Sequence, residues 1–178
     1  ANYSQRSSME NFDWEELIEW PNYAWYWLTT HPFWFALILF GVLFLIVVFI
    51  VLTWISSRGK FMFIDNVVND KSEVTAPWNE FSKEGNSLFI WRLVYGIIST
   101  ILIVFSLIVA FAIIVKVFAG NPPVGMKFLS IAGIILEFVF LMITISYISM
   151  LLNDFIVPIM YMHRLNTTQA WLKFLPVF

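Results

Sequence analysis

The sequence predicts an all-α integral membrane protein, a polytopic helical chain with about three transmembrane spans and amphipathic interfacial helices. Of its 178 residues, 60% are hydrophobic and only 12% are charged, whereas soluble domains carry about 25% charged residues. Three stretches are also long and apolar enough to cross a bilayer core of about 30 Å. Because a helix surrounded by acyl chains needs apolar side chains on its outside, both observations favour a membrane location.

Composition and motifs exclude several classes of protein. The net charge of −2 and the lack of a basic aromatic patch argue against nucleic acid as a partner. The chain has no cysteine, which excludes disulfides, iron–sulfur clusters and thiolate zinc sites. It contains no H-E-x-x-H, G-x-G-x-x-G, Walker or G-x-S-x-G motif. We therefore expect a protein that is not an enzyme and has neither a metal nor another cofactor.

The first segment, residues 1–32, is acidic and rich in tryptophan and tyrosine. These rings favour the headgroup layer, so we expect an anchor on the membrane surface; the alternative is a docking surface for another subunit. Asp13 and Glu16 are spaced as a capping box for a short helix, and Phe12 and Leu17 as a hydrophobic staple. Pro21 should end this helix.

The first predicted span covers residues 33–55, which contain no charged side chain and extend about 34 Å at 1.5 Å per residue. Residues 56–87 form a polar connection on the inner side with short interfacial helices. One of these carries Phe61 and Ile64 on an apolar face, and another starts at Pro77 and stops at Gly85.

The second predicted span covers residues 88–117, preceded by Asn86 and Ser87 as candidate caps. Two prolines place residues 118–125 in an outer turn, and residues 126–152 form the third span. The remaining residues, 153–178, are predicted to be an inner interfacial segment that opens with a break at Asn153 and contains a short amphipathic helix, Thr167–Leu175.

The distribution of Lys and Arg predicts that the N-terminus lies outside and the C-terminus inside the cytoplasmic membrane. Cytoplasmic flanks of spans are enriched in these residues, and the predicted spans divide them seven to three. The inner set is Arg58, Lys60, Lys71, Lys83, Arg92, Arg164 and Lys173, and the outer set is Arg6, Lys116 and Lys127.

Glu137 is the one acidic residue within the predicted spans, close to the middle of the third. Ser130, Gly133 and Thr144 share its helical face. A carboxylate at this depth must be neutral, paired or hydrated. We therefore predict an intramembrane polar site of Glu137, Ser130 and Thr144, which either fixes helix packing by hydrogen bonding or relays a proton or cation.

A stripe of small residues in the second span predicts close helix packing. Its members recur at three-, four- and seven-residue spacing and allow another helix to approach. They are Gly96, Ser99, Thr100, Ser106 and Ala110.

Four inner cations, Arg58, Lys60, Arg92 and Arg164, lie near Asp65 and Asp154 in the predicted topology. Solvated interfacial charge is one interpretation, and contact with anionic lipid headgroups is the other. The two histidines, His31 and His163, fall on opposite sides of the membrane and cannot share a metal. A bound lipid is therefore compatible with the sequence, whereas we do not expect a pigment or haem ligated by either histidine.

Three segments carry a family resemblance: SRGKFMFIDNVV at residues 57–68, PWNEFSKEGNSLFIWRL at residues 77–93 and NDFIVPIMY at residues 153–161. From Phe12 onward the chain resembles an uncharacterised group of prokaryotic multi-pass membrane proteins. Their layout is loosely similar to the membrane domain of some glycerophosphodiester phosphodiesterases. The resemblance implies a prokaryotic inner membrane and an additional N-terminal region, so that three spans would be an undercount. It supplies no catalytic residue.

Two functions agree with these observations. The first is a non-catalytic accessory or scaffold subunit that packs with other transmembrane helices of a larger complex. The second is a transport or lipid-handling protein in which Glu137 lines a cavity. The partners expected are membrane lipids and, for the first function, other transmembrane subunits.

Overall fold

A computed structural model describes residues 14–120 and 122–176, and all regular secondary structure among them is helical. The helices are α1 Trp14–Thr30, α2 Pro32–Asn69, α3 Thr75–Glu80, α4 Ser82–Ala119, α5 Val124–Leu151, α6 Val157–His163 and α7 Thr167–Phe174, with a π turn at Leu152–Ile156 between α5 and α6. No strand occurs among these residues. Three helical stretches, Pro32–Asn69, Ser82–Val117 and Val124–His163, are long and apolar enough to cross a membrane. The all-α membrane class is therefore confirmed.

Helix α2 continues well beyond the predicted first span. Its N-terminus begins at Pro32, which suits the first turn because no intrahelical N–H is required there. The helix ends only at Asp70, whose φ of 49° is left-handed and whose N–H bonds to the carbonyl of Asn66. The separate interfacial helix predicted around Phe61 is in fact the last part of α2, because no proline or cap interrupts the chain after Ile55.

Helix α4 begins earlier than the sequence suggested. Pro77 lies inside the short helix α3, and Gly85, Asn86 and Ser87 lie inside α4 instead of preceding it. The amide of Asn86 binds side chains of α2, and the hydroxyl of Ser87 contacts Thr167 of α7. Both side chains are therefore used for tertiary contacts and do not cap the second span.

The break predicted at Asn153 is a π turn that keeps the chain helical. Residues Leu152–Ile156 have the wider π geometry, and α6 follows directly to His163. Pro158 is the second residue of α6, where the local π adjustment accommodates its missing N–H. Arg164 then ends the helix with a left-handed φ of 53°.

Helix α1 passes through Pro21, which was expected to end it. A proline removes only one backbone donor, and the helix continues on both sides of Pro21. The predicted capping box and staple depend on Phe12 and Asp13, which lie outside the described residues. At the other end of the chain, α7 begins with a capping box in which Asn166 N–H donates to Gln169.

The buried core lies at one end of the helix bundle, which we call the basal end. Its completely buried side chains include Phe61, Leu88, Ile156 and Met160, supplied by α2, α4, the π turn and α6. By contrast, no residue of the described stretches 33–55 and 126–150 is buried. The long helices are therefore exposed along most of their length and pack together mainly at the basal end. The charge distribution predicts that this end is cytoplasmic.

Candidate functional site

Glu137 meets α4 through Ser106, one of the small residues of the predicted packing stripe. The Ser106 hydroxyl donates to Glu137 Oε1 at 2.7 Å, and Ser106 is only 4% exposed. Ser130 and Thr144 donate instead to backbone carbonyls of α5, each at 2.9 Å. The structure thus places the intramembrane carboxylate at a contact between helices, whereas the hydroxyls of the other two predicted site residues are used within α5.

The predicted packing stripe divides into two groups. Ser99, Ser106 and Ala110 are buried by neighbouring helices of the same chain. Gly96 is partly buried and Thr100 is exposed. A Cβ added at Gly96 would meet nothing within 4 Å. The stripe therefore contributes to packing within this chain over part of its length and leaves the rest open.

Two of the four predicted lipid-contacting cations form a cluster at the basal end. Asn153, held by the π turn, accepts hydrogen bonds at Oδ1 from Lys60 Nζ and, at 2.7 Å, from Arg92 Nη2. Arg92 Nη1 also donates to the buried Ser57 hydroxyl at 3.3 Å. We call Lys60, Arg92, Asn153 and Ser57 the cationic cluster.

The other two cations have partners of their own. Arg58 donates to Asn86 Oδ1 from Nε at 3.1 Å and Nη2 at 3.0 Å, and its guanidinium lies 4.7 Å from the centre of the Trp54 ring. Arg164 forms an ion pair with Glu80 and lies 3.9 Å from the centre of the Phe81 ring. Cation–π contacts and hydrogen bonds hold both guanidinium groups against the protein.

The two predicted acidic neighbours of these cations have different environments. Asp65 accepts hydrogen bonds from the Tyr161 hydroxyl at 2.8 Å and from Asn69 at 2.9 Å, and so links α2 to α6. Asp154 is exposed and lines a groove together with Lys60 and Asn153. Asp65 is thus a structural contact, and Asp154 is available to influence a ligand.

This groove has a volume of about 670 Å³ and lies between α2 and the π turn with the start of α6. Its lining residues are Ile55, Ser56, Gly59, Lys60, Phe63, Ile64, Asn153, Asp154, Val157 and Pro158. A second groove of about 630 Å³ lies between α4 and α7, and a third of about 400 Å³ lies along α1. The first groove is the one that opens beside the cationic cluster.

The sequence did not indicate a role for Glu84, and it did not predict the tertiary hydrogen bonds of Asn86 and Asn153. Glu84 is 6% exposed, and its Oε2 has no hydrogen-bond partner among the described residues. It is the third residue of α4, where the helix dipole favours a negative charge. The only available sequence signal was an acidic residue shortly before an apolar run. The sequence predicts a cap at Asn86 and a helix break at Asn153. In the structure, Asn86 Oδ1 accepts hydrogen bonds from two side chains of α2, and Asn153 Oδ1 accepts one each from α2 and α4.

The histidines have ordinary local contacts. His31 stacks on Trp27 at 4.8 Å between ring centres, and its Nδ1 lies 2.9 Å from the Trp27 carbonyl. His163 Nδ1 lies 3.3 Å from the carbonyl of Ile159. Among the described residues, no group of three or more histidines and carboxylates is placed to hold a metal ion.

Three long apolar helices joined by a buried core at the basal end define an integral membrane protein of the helical class. The chain belongs to a family of unknown function, DUF7544, whose model matches residues 7–178. No curated protein and no solved structure matches it. The expectation of an uncharacterised family is confirmed, whereas the likeness to the membrane domain of glycerophosphodiester phosphodiesterases finds no support.

Proposed function

We propose that this protein is a non-catalytic accessory or scaffold subunit that packs with transmembrane helices of other subunits in a larger complex. The observation that carries this proposal is the environment of Glu137. One carboxylate oxygen is bound by Ser106, but the side chain remains exposed in the middle of the third span. An acidic residue at this depth costs about 2.5–3.5 kcal/mol on insertion scales, so a polar contact from another helix would stabilise it.

The surface around Glu137 has the shape that such a contact requires. Gly133, Phe140 and Thr144 lie on the same helical face and are all exposed. A Cβ added at Gly133 would meet nothing within 4 Å, so a second helix has room to approach the backbone there. A small residue next to a carboxylate and a large aromatic ring is a suitable surface for helix association.

The alternative of a transport or lipid-handling protein placed Glu137 in a cavity. None of the three grooves described above has Glu137 in its lining. Its hydrogen bond to Ser106 also uses one carboxylate oxygen for contact between helices. This contact between helices favours the subunit over the transporter.

Photo-crosslinking in the native membrane tests this proposal. A photoreactive phenylalanine analogue replaces Phe140, which is 72% exposed beside Glu137. In a matched control it replaces Phe44, which is 58% exposed at the middle of the charge-free stretch 33–55. We expect Phe140 to yield an adduct with another membrane protein, identified by mass spectrometry, and we expect Glu137→Leu to reduce that yield. The same partner should copurify in mild detergent.

Two results would contradict the proposal. Lipid adducts alone at both positions would show that no protein covers the Glu137 face. An adduct composed only of two copies of this chain would replace the accessory role by self-association.

A further inference from the structure

Two cationic side chains from different helices converge on one neutral oxygen at the basal end. Lys60 of α2 and Arg92 of α4 both donate to Oδ1 of Asn153, and Arg92 also donates to the hydroxyl of Ser57. Neither acceptor carries a negative charge. Two positive charges held this close repel each other, and the nearby Asp154 carboxylate offsets only one of them, so the arrangement favours binding of a further anionic group.

Both cations retain donors for such a group. An ammonium has three N–H donors and a guanidinium has five. The hydrogen bonds to Asn153 and Ser57 use one donor of Lys60 and two donors of Arg92. Both side chains are only partly buried, so a ligand can reach them. The flat guanidinium and the compact ammonium are the two side-chain groups that most commonly bind phosphate oxygens.

The groove beside the cluster adds an apolar compartment. Ile55, Phe63, Val157 and Pro158 form much of its wall, and Lys60 lies at its polar edge. Ile55 is the last residue of the charge-free stretch 33–55, so the groove lies where the acyl chains meet the headgroup layer. A molecule with an anionic head and an apolar tail matches both parts of this site.

We propose that the cationic cluster binds the phosphodiester headgroup of an anionic phospholipid, with part of an acyl chain in the adjoining groove. Asp154 lines the same groove and offsets one of the two positive charges, which leaves a net charge of one. A headgroup with a single negative charge complements this balance better than a doubly charged phosphomonoester does. The proposed site excludes Arg58 and Arg164, because their guanidinium groups already bind Asn86 and Glu80.

A lipid titration of the purified full chain, followed by native mass spectrometry, tests this site. We expect phosphatidylglycerol to bind more tightly than phosphatidylcholine of the same chain length. Lys60→Gln should lower the apparent affinity for phosphatidylglycerol about fivefold, since one cation near a membrane surface contributes about that factor. Asp154→Asn should raise the affinity by a similar factor, because it removes the opposing charge.

Matched variants separate the site from general electrostatics and from misfolding. Lys71→Gln removes the same charge at an exposed position and should change the affinity by less than about twofold because of screening. Lys60→Arg keeps the charge and should retain binding. Asp154→Asn removes none of the hydrogen bonds of the cluster, so its effect remains informative if Lys60→Gln fails to fold.

Three results would overturn the proposal. The first is equal affinity for phosphatidylglycerol and phosphatidylcholine, and the second is an equal loss in Lys60→Gln and Lys71→Gln. The third is displacement of the lipid by soluble glycerol phosphate at matched concentrations, because this would show that the cluster binds small phosphates and that the groove contributes nothing.

Discussion

At the scale of single residues, two asparagines organise the polar contacts of the basal end. Asn86 Oδ1 accepts hydrogen bonds from Arg58 and from Trp54 Nε1, the latter at 3.2 Å, while Asn153 Oδ1 accepts from Lys60 and Arg92. A neutral amide is far less costly to bury than a carboxylate. Asn86 therefore links α4 to two donors of α2, and Asn153 links the π turn to donors of α2 and α4, without placing a further charge between the helices.

The Asn86 contact should contribute measurably to stability. Asn86→Ala leaves the donors of Trp54 and Arg58 without their shared acceptor, so we expect a loss of about 1–3 kcal/mol in the free energy of unfolding. Denaturant unfolding in detergent micelles measures this change. Asn79→Ala, at an exposed position on α3, is the control and should stay within about 0.5 kcal/mol of the wild type. Equal losses in the two variants would show that Asn86 has no special role.

The Ser106 hydroxyl of the packing stripe should contribute more to stability than that of Ser130, the serine of the predicted polar site. Ser106→Ala removes the hydrogen bond to Glu137 and should destabilise the α4–α5 contact by about 1 kcal/mol, in the range measured for polar contacts between membrane helices. Ser130→Ala removes a hydrogen bond to the carbonyl of Met126 within the same helix and should have a smaller effect. Unfolding of both variants in the same detergent compares them, and an equal or reversed order would contradict the assignment.

At the scale of helices, α2 and α4 approach each other closely at Gly85. A Cβ added at Gly85 would lie 2.8 Å from Arg58 Cγ and 3.1 Å from Arg58 Cα. Because the second of these atoms belongs to the backbone, rotation of the side chain alone cannot relieve the overlap. Gly85 is therefore required where the two helices cross, although the sequence indicated a helix end at this position.

Gly85→Ala should consequently lower the stability of the protein, whereas Gly96→Ala should not. Overpacking at Gly85 forces α2 and α4 apart and should cost about 1–3 kcal/mol. At Gly96 nothing lies within 4 Å of an added Cβ, and alanine favours the helix by up to about 1 kcal/mol. Thermal unfolding of the two variants in detergent gives the comparison. A tolerated Gly85→Ala variant would show that the helices are not in close contact there.

The π turn between α5 and α6 is the second element that decides the arrangement of the basal end. It presents Asn153 to donors from α2 and α4, and Asp154 to the groove. One additional residue in a helical turn changes the direction of the side chains that follow, and such turns are frequent at functional sites. The cationic cluster therefore depends on this local change of helical geometry.

At the scale of the whole molecule, the basal end concentrates both the core and the cations. The buried cluster formed by Phe61, Leu88, Ile156 and Phe174 lies beside Lys60 and Arg92. The predicted spans, in contrast, expose apolar side chains along most of their length. This division is expected for a membrane protein, because lipid covers the apolar stretches while specific contacts hold the helices together.

The charge distribution predicts a cytoplasmic basal end, and the absence of cysteine gives a clean test of this orientation. Ser72→Cys introduces a thiol in the exposed connection after α2, and Gly125→Cys introduces one near the exposed turn before α5. With a membrane-impermeant maleimide on intact cells, we expect labelling at residue 125 and protection at residue 72 until the cells are lysed. The reverse pattern would invert the topology.

The sequence by itself determined that this is a helical membrane protein with three long apolar stretches. Such a stretch is a local property, because about 20 consecutive apolar residues suffice to span the bilayer whatever the rest of the chain does. The sequence also predicted Glu137 to be an intramembrane carboxylate and Lys60 and Arg92 to be cations near the membrane surface. Residue type and position along a span are enough for those conclusions.

Only the tertiary structure decided which of these residues meet. Lys60 and Asn153 are 93 positions apart in the chain, and Ser106 and Glu137 are 31 apart. Their contacts depend on helix crossing and on the π turn, neither of which leaves a periodic signal in the sequence. For the same physical reason Gly85 resembled a helix end, whereas its lack of a side chain is required by the neighbouring backbone of Arg58.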